Sequence, residues 1–215
     1  MIDPFSSRMP GMIPPRCSII IPVKPVAVGK SRLRASLPVA DAFVAAIALD
    51  TIEAALAASS GVSVLVVTDD PALADAAIAL GAEVTPDKPD AGLNAAISHG
   101  FSLIDDGSTC AALTADLPSL RPAELAAALA AFEERSAGRR AYVADHLGTG
   151  TAMLLAPPGV PLDPHFGVDS AAAHAASGAF ALDGAWPSLR LDVDTPSDLS
   201  AARALGLGPR TMLAI

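Results

Sequence analysis

Hydrophobic positions along the chain fall into short runs that alternate with longer amphipathic stretches. "CSIIIPV" (17–23) reads as a strand buried on both faces, and "VADAFVAAIALDTIEAALAAS" (39–59) as a helix. "VSVLVVT" (62–68) is a second strand, "PALADAAIAL" (71–80) a helix with Pro71 in its first turn, and "GAEVTP" (81–86) a short strand. The series continues with a helix over "AGLNAAISHGFSLID" (91–105), a strand over "TCAALTA" (109–115) and a helix over "RPAELAAALAAFEER" (121–135). Past residue 140 the alternation loosens. "RAYVAD" and "TAMLLAP" read as two strands joined by the turn "HLGTG", "DSAAAHAASGA" (169–179) as a helix, "SLRLDVD" (188–194) as a strand and "PSDLSAARAL" (196–205) as a closing helix.

Strands and helices in alternation imply crossover units and a largely parallel sheet covered on both faces. In such a sheet ligands bind beyond the carboxyl ends of the strands, so chemistry is expected at strand ends. Residues 1–15, rich in Pro, Ser and Met without periodicity, read as a flexible arm, and 16–215 as a single domain.

Composition narrows the function classes. Hydrophobic residues are 52 % of the 215, charged residues 17 %, and the formal net charge is -9. A core of that size argues against disorder, and the acidity argues against a nonspecific nucleic-acid partner. No apolar run reaches the roughly 18 residues a bilayer span needs, and "MIDPFSSRMPGMIPPR" carries prolines and charges where a secretory signal has its apolar stretch, so a cytoplasmic protein is expected. Cys17 and Cys110 sit in strand-like runs and read as buried thiols.

Charge is unevenly spread. Between Pro4 and Ala40 there is no acidic residue, while Arg8, Arg16, Lys24, Lys30, Arg32 and Arg34 are six of the fourteen basic residues. "VKPVAVGKS" matches the second half of a P-loop, but Lys24 stands where its first glycine belongs, so the glycine-rich phosphate nest is rejected and phosphate binding by cations is kept. A solvated basic edge is the plainer alternative.

The acidic counterpart is "TADLPSL" with "RLDVDTPSD". Two residues apart on a strand, Asp192 and Asp194 share a face, and adjacent carboxylates repel unless a cation or shared proton intervenes. A hard divalent ion is the common solution, Asp116 is placed to complete a three-carboxylate site, and three aspartates leave room for a second ion. Thr195 and Asp198 read as a helix cap and first turn, which leaves Asp192 unexplained. Cations for a triphosphate at one strand end and metal ligands at others are complementary halves of a phosphoryl-transfer site.

"IPVKPVAVGKSRL", "GLNAA", "TADLPSL", "GTGTAMLL", "HFGVDSAAAHAASGA" and "LDVDTPSDL", in that order over about residues 17–206, resemble the guanylyltransferases that make the phosphodiester precursor of the deazaflavin coenzyme F-420. The resemblance implies a GT-A-like, Rossmann-like nucleotidyltransferase fold: α/β, with a mixed, mostly parallel central sheet flanked by helices. It implies GTP plus phosphoenolpyruvate, or 2-phospho-L-lactate in archaeal relatives, giving a guanylylated phosphoacid and pyrophosphate. Phosphoenolpyruvate is favoured because the pattern looks bacterial. By position, Asp116, Asp192 and Asp194 match the magnesium ligands, and Thr151, Gly167 and Ser170 the phosphoacid-binding positions. Lys24 and Lys30 match triphosphate ligands, with Arg32 assisting, and Asn94 a nucleotide contact. Helix caps remain the alternative for Ser170 and Asn94.

No general base is required, because a phosphate monoester has its second pKa near 6, and His99, His146, His165 and His174 show no relay spacing. The rivals are a molybdopterin guanylyltransferase or sugar-phosphate nucleotidyltransferase on the same fold, disfavoured by the glycine-poor first loop, and a nucleotide-binding module without catalysis, which needs no carboxylate cluster.

Overall fold

Ile19, Ile20 and Ile21 are all fully buried because their strand, β1 (Cys17–Pro22), runs through the interior of a sheet covered on both faces. Side chains alternate across a strand, so Ile19 and Ile21 enter one core cluster and Ile20 the other. This is seen in a computed structural model that describes residues 17–25, 41–104 and 107–215.

The other strands are β2 (Val62–Val67), β3 (Glu83–Thr85), β4 (Thr109–Leu113), β5 (Ala141–Ala144), β6 (Thr151–Ala156) and β7 (Phe180–Ala181), in the spatial order β3-β2-β1-β4-β6-β5-β7. Adjacent pairs are parallel except β4 with β6 and β5 with β6, so β6 alone runs against the rest. The reversal follows from the short turn at 145–150, since parallel neighbours need a long crossover. Its consequence is positional: the start of β6 lies at the same sheet edge as the ends of β1 and β4.

Helices α1 (Asp41–Leu56), α2 (Pro71–Leu80) and α4 (Pro122–Arg135) pack Ile52, Leu73, Leu125 and Phe132 onto one face, and α3 (Leu93–Ser102) packs Ala96 and Ile97 onto the other. Asp70 caps α2 by accepting from Ala72 N and Leu73 N, and Gly81 closes it with φ +99°. The remaining helices are α5 (Ser170–Ala176), α6 (Pro187–Arg190), α7 (Pro196–Leu205) and α8 (Pro209–Leu213).

The strand expected over 188–194 is corrected. Pro187 opens the one-turn helix α6, and Glu124 Oε2 accepts from both Ser188 N and Ser188 Oγ at 2.8 and 2.7 Å, which holds that turn against α4. Residues 191–194 follow outside any strand. Helices α6 and α8 and strand β7 were not expected from the pattern. Helix α8 has no cap of its own: the buried Asp50 of α1 accepts from Arg210 N at 3.2 Å and Thr211 N at 2.7 Å, capping it from 160 residues away. Among the described residues no helix is long and apolar enough to cross a membrane.

Candidate active site

Asp116 lies in the turn between β4 and α4. That turn is shaped by buried Thr51 of α1, whose hydroxyl donates to the Ile47 carbonyl at 2.9 Å and accepts the Leu117 N–H at 3.1 Å. Asp192 and Asp194 arrive from the far end of the chain. Leu191 and Val193 are buried with Phe43 and Ile47, so the intervening aspartates share the opposite, half-exposed side even without a strand. One main-chain hydrogen bond, Val193 N to the Asp116 carbonyl at 3.0 Å, joins the two segments. As a result one carboxylate oxygen from each of Asp116, Asp192 and Asp194 lies within 4.8 Å of the others.

The cap expected at Thr195 and Asp198 is present as a reciprocal capping box at the start of α7. Asp198 Oδ2 also accepts the Asp194 N–H at 3.1 Å, so the cap uses the backbone of Asp194 and not its carboxylate. Sequence reasoning missed His146. Its Nδ1 lies 3.5 Å from Asp192 Oδ1 and its Nε2 3.7 Å from Asp198 Oδ1, and the His146 N–H donates to the Arg190 carbonyl at 2.8 Å. Nothing in the local sequence signals this, because the partners are more than forty residues away.

A donor set made only of carboxylate oxygens suits a hard divalent cation. Lys24, exposed just past β1, lines a cavity of about 390 Å³ with Asp116, Asp194, Val44, Ile97 and Phe166. A second cavity of about 490 Å³ shares Lys24 and Leu93 and is edged by Asp69, Asp87 and Asp90. There burial, then the negative charges of Asp90 and Asp69, push the Asp87 carboxyl above its usual range. Lys30, Arg32 and the arm at 1–15 lie outside the described residues. Cys17 and Cys110 are free and buried as expected, and burial raises both thiols, Cys17 to about 12, so neither is a nucleophile near neutrality.

Thr151 opens β6 after the β5–β6 turn, Ser170 opens α5, and Gly167 lies in the loop into α5. Gly150 has no room for a side chain because the Asp145 carboxylate fills that space and accepts the Thr149 N–H at 3.0 Å. The Thr149 carbonyl in turn accepts the Ala171 N–H at 3.0 Å, docking α5 on the turn. Thr151 and Ser170 are both buried, and the Thr151 hydroxyl lies 2.9 Å from His174 Nδ1. The cap position of α5 falls on Asp169, with φ +55° and no side-chain cap, so Ser170 is the first helical residue and not the cap. Gly167 has φ +142°, which glycine adopts without strain.

The loop into α5 is fastened along its length. Arg140 donates to the Leu162 carbonyl at 3.2 Å and to Asp163 Oδ2 at 2.6 Å, and this bond holds the Asp163 carboxyl below the usual range. Asn94 does not cap α3, whose cap is Gly92, and each end of its amide bonds to the Phe166 backbone. Its Nδ2 donates to the Phe166 carbonyl at 3.0 Å and its Oδ1 accepts the Phe166 N–H at 2.8 Å.

Against known proteins, residues 17–178 match the family described as guanylyl transferase CofC like. Phosphoenolpyruvate guanylyltransferase from Salinispora arenicola is 57 % identical over 198 residues, covering 91 % of this chain and 92 % of the relative. The protein of the same name from Geodermatophilus obscurus is 50 % identical over 202 residues, covering 90 % and 91 %. Among solved structures, a nucleotidyl transferase from Methanothermobacter thermautotroptrophicus shares the fold with a TM-score of 0.62 at 16 % identity, covering 88 % of this chain and 97 % of that one. A match over three-quarters of the sequence, with relatives at this level of identity along nearly their whole length, establishes that the chain belongs to the CofC-like guanylyl transferase family.

Proposed function

We propose that the protein transfers the guanylyl group of GTP to phosphoenolpyruvate and releases pyrophosphate, as a step in the biosynthesis of coenzyme F-420. The observation that carries this reading is the meeting of Asp116, Asp192 and Asp194 beside a cavity that Lys24 also lines. The name and 57 % identity of the Salinispora relative supply the acceptor.

Asp116, Asp192 and Asp194 would hold magnesium, with room for a second ion, and the bound metal would screen phosphate charge and polarise the α-phosphate. Lys24, with Lys30 and Arg32, contributes positive charge toward the triphosphate and the leaving pyrophosphate. The acceptor phosphate is already ionised near pH 7, so it attacks without a general base. Its oxygen forms the new bond to the α-phosphorus as the bond to the bridging oxygen of pyrophosphate breaks. Thr151, Gly167 and Ser170 bind the phosphoacid in this reading, and Asn94 acts on the nucleotide side by fixing Phe166 at the cavity wall.

The test is incubation with each nucleoside triphosphate, magnesium, and either phosphoenolpyruvate or 2-phospho-L-lactate, with pyrophosphate as readout. Release is expected with GTP and phosphoenolpyruvate and is abolished by a chelator. Equal release with ATP, or none with either acid, overturns the reading.

A further inference from the structure

His174 is completely buried in α5, and nothing in the reaction above uses it. Both ring nitrogens are engaged: Nε2 lies 2.9 Å from the backbone nitrogen of His165, and Nδ1 lies 2.9 Å from the Thr151 hydroxyl. The first contact determines the second. A backbone N–H can only donate, so Nε2 must be the bare nitrogen, and a neutral imidazole then carries its proton on Nδ1. The ring is neutral, because burial and then the positive charges of His165 and Arg140 push its pKa down to about 4. A backbone hydrogen bond with Ser170, one turn earlier, favours a proton on the same ring. With Nδ1 protonated the Thr151 hydroxyl cannot donate to it, so Thr151 Oγ1 accepts from Nδ1–H, sharing that proton with the Ser170 carbonyl.

A hydroxyl ordinarily chooses between donating and accepting. Here its oxygen already accepts, so its hydrogen must be given to another group. Among the described residues no acceptor takes that hydrogen, and Thr151 stands at the start of β6, on the sheet edge that carries Asp116.

We propose that His174 is a positioning residue for the acceptor: it commits the Thr151 hydroxyl to donate toward an oxygen of the phosphoacid and, by accepting the His165 N–H, holds the loop that carries Gly167. This rests on the acceptor reading given under Proposed function. The loop geometry supports it independently. His174 seizes His165 while Asn94 seizes the next residue, Phe166, whose ring meets the imidazole edge-on at 5.0 Å between centroids. Two consecutive backbone N–H groups are thus taken up by side chains of α5 and α3, which fixes the chain immediately before Gly167.

The experiment compares wild type with Thr151→Val, Thr151→Ser, His174→Gln and the Val/Gln double variant. Thr151→Val is expected to raise KM for the phosphoacid about tenfold, the usual scale for a lost hydrogen bond to a charged group, with KM for GTP within about twofold. Thr151→Ser, which keeps the hydroxyl, recovers most of the loss. His174→Gln, whose amide stands in for Nε2 but not Nδ1, reproduces the same selective rise, and the double variant is no worse than either single change by more than about twofold. Equal rises in both KM values, or additive effects of the two changes, overturn the proposal. Because removing a buried ring can unfold the protein, nitrogen-15 NMR of wild type gives a second test: the Nδ1–H tautomer of His174 is expected, and an Nε2–H tautomer refutes the inference. Failure of the wild type to use any phosphoacid would sink the acceptor reading itself, a different result seen before any variant is made.

Discussion

Acidification should destabilise the protein through His174 by an amount its environment sets. The ring is fully buried, and in the fold its pKa falls from the ordinary 6.5 to about 4. Between those values the unfolded chain binds a proton that the folded chain refuses, so the stability held above pH 6.5 is lost as pH falls toward 4. The full difference is worth about 3 kcal/mol, and at pH 5 about 2 kcal/mol of it is gone. That is a large share of a total stability of roughly 5–15 kcal/mol. The charges facing the ring are those of His165 and Arg140, which lower its pKa, and of Asp163, which raises it. Urea denaturation of wild type and His174→Gln at pH 7 and pH 5 isolates the effect: the wild-type loss should exceed the variant's by about 2 kcal/mol. In parallel, carbon-13 NMR of the imidazoles should show the His174 signal unmoved from pH 8 down to about 5. Equal losses in both proteins, or a His174 signal titrating near 6.5, would refute the reasoning.

Asp116→Asn or Asp194→Asn should lower turnover by at least about a hundredfold, the scale for losing charge stabilisation at a reacting phosphate, while circular dichroism and Tm stay close to wild type. A variant retaining near-normal pyrophosphate release would remove that aspartate from the proposed metal site. Asp50→Ala should cost about 2 kcal/mol in urea denaturation, since it strips two backbone N–H groups of α8 of their acceptor. An unchanged midpoint would mean that α8 caps itself some other way.

Where local signals agreed, the sequence was legible. The helix Pro71–Leu80 was read to the residue because its cap, Pro71 and Gly81 all mark the same ends. The hairpin of β5 and β6 was legible from its two apolar runs and glycine-containing turn. "SLRLDVD" misled for a physical reason. Its alternation is real, with Leu191 and Val193 buried and the aspartates on the other side, but alternation reports one-sided burial and says nothing of a neighbouring strand to bond with. Convergence of Asp116 with Asp192 and Asp194 was expected from strand-end logic, whereas the devices that produce it were not. Thr51, His146 and His174 act on partners brought near only by folding, and the pairing of Asn94 with the Phe166 backbone joins positions 72 residues apart, which no local pattern signals.

The reversed direction of β6 separates two places where the chain could be extended by design. Its first residue, Thr151, stands at the rim that carries Asp116, so its last, Ala156, delivers the chain to the opposite rim, where exposed Gly159 turns with φ +74°. A reporter peptide spliced in at Gly159 would ride behind the sheet, whereas the same graft in the turn at 146–150 would pry the aspartate side away from α5. The back rim is therefore the tethering point for immobilising this protein on a surface with its working face outward.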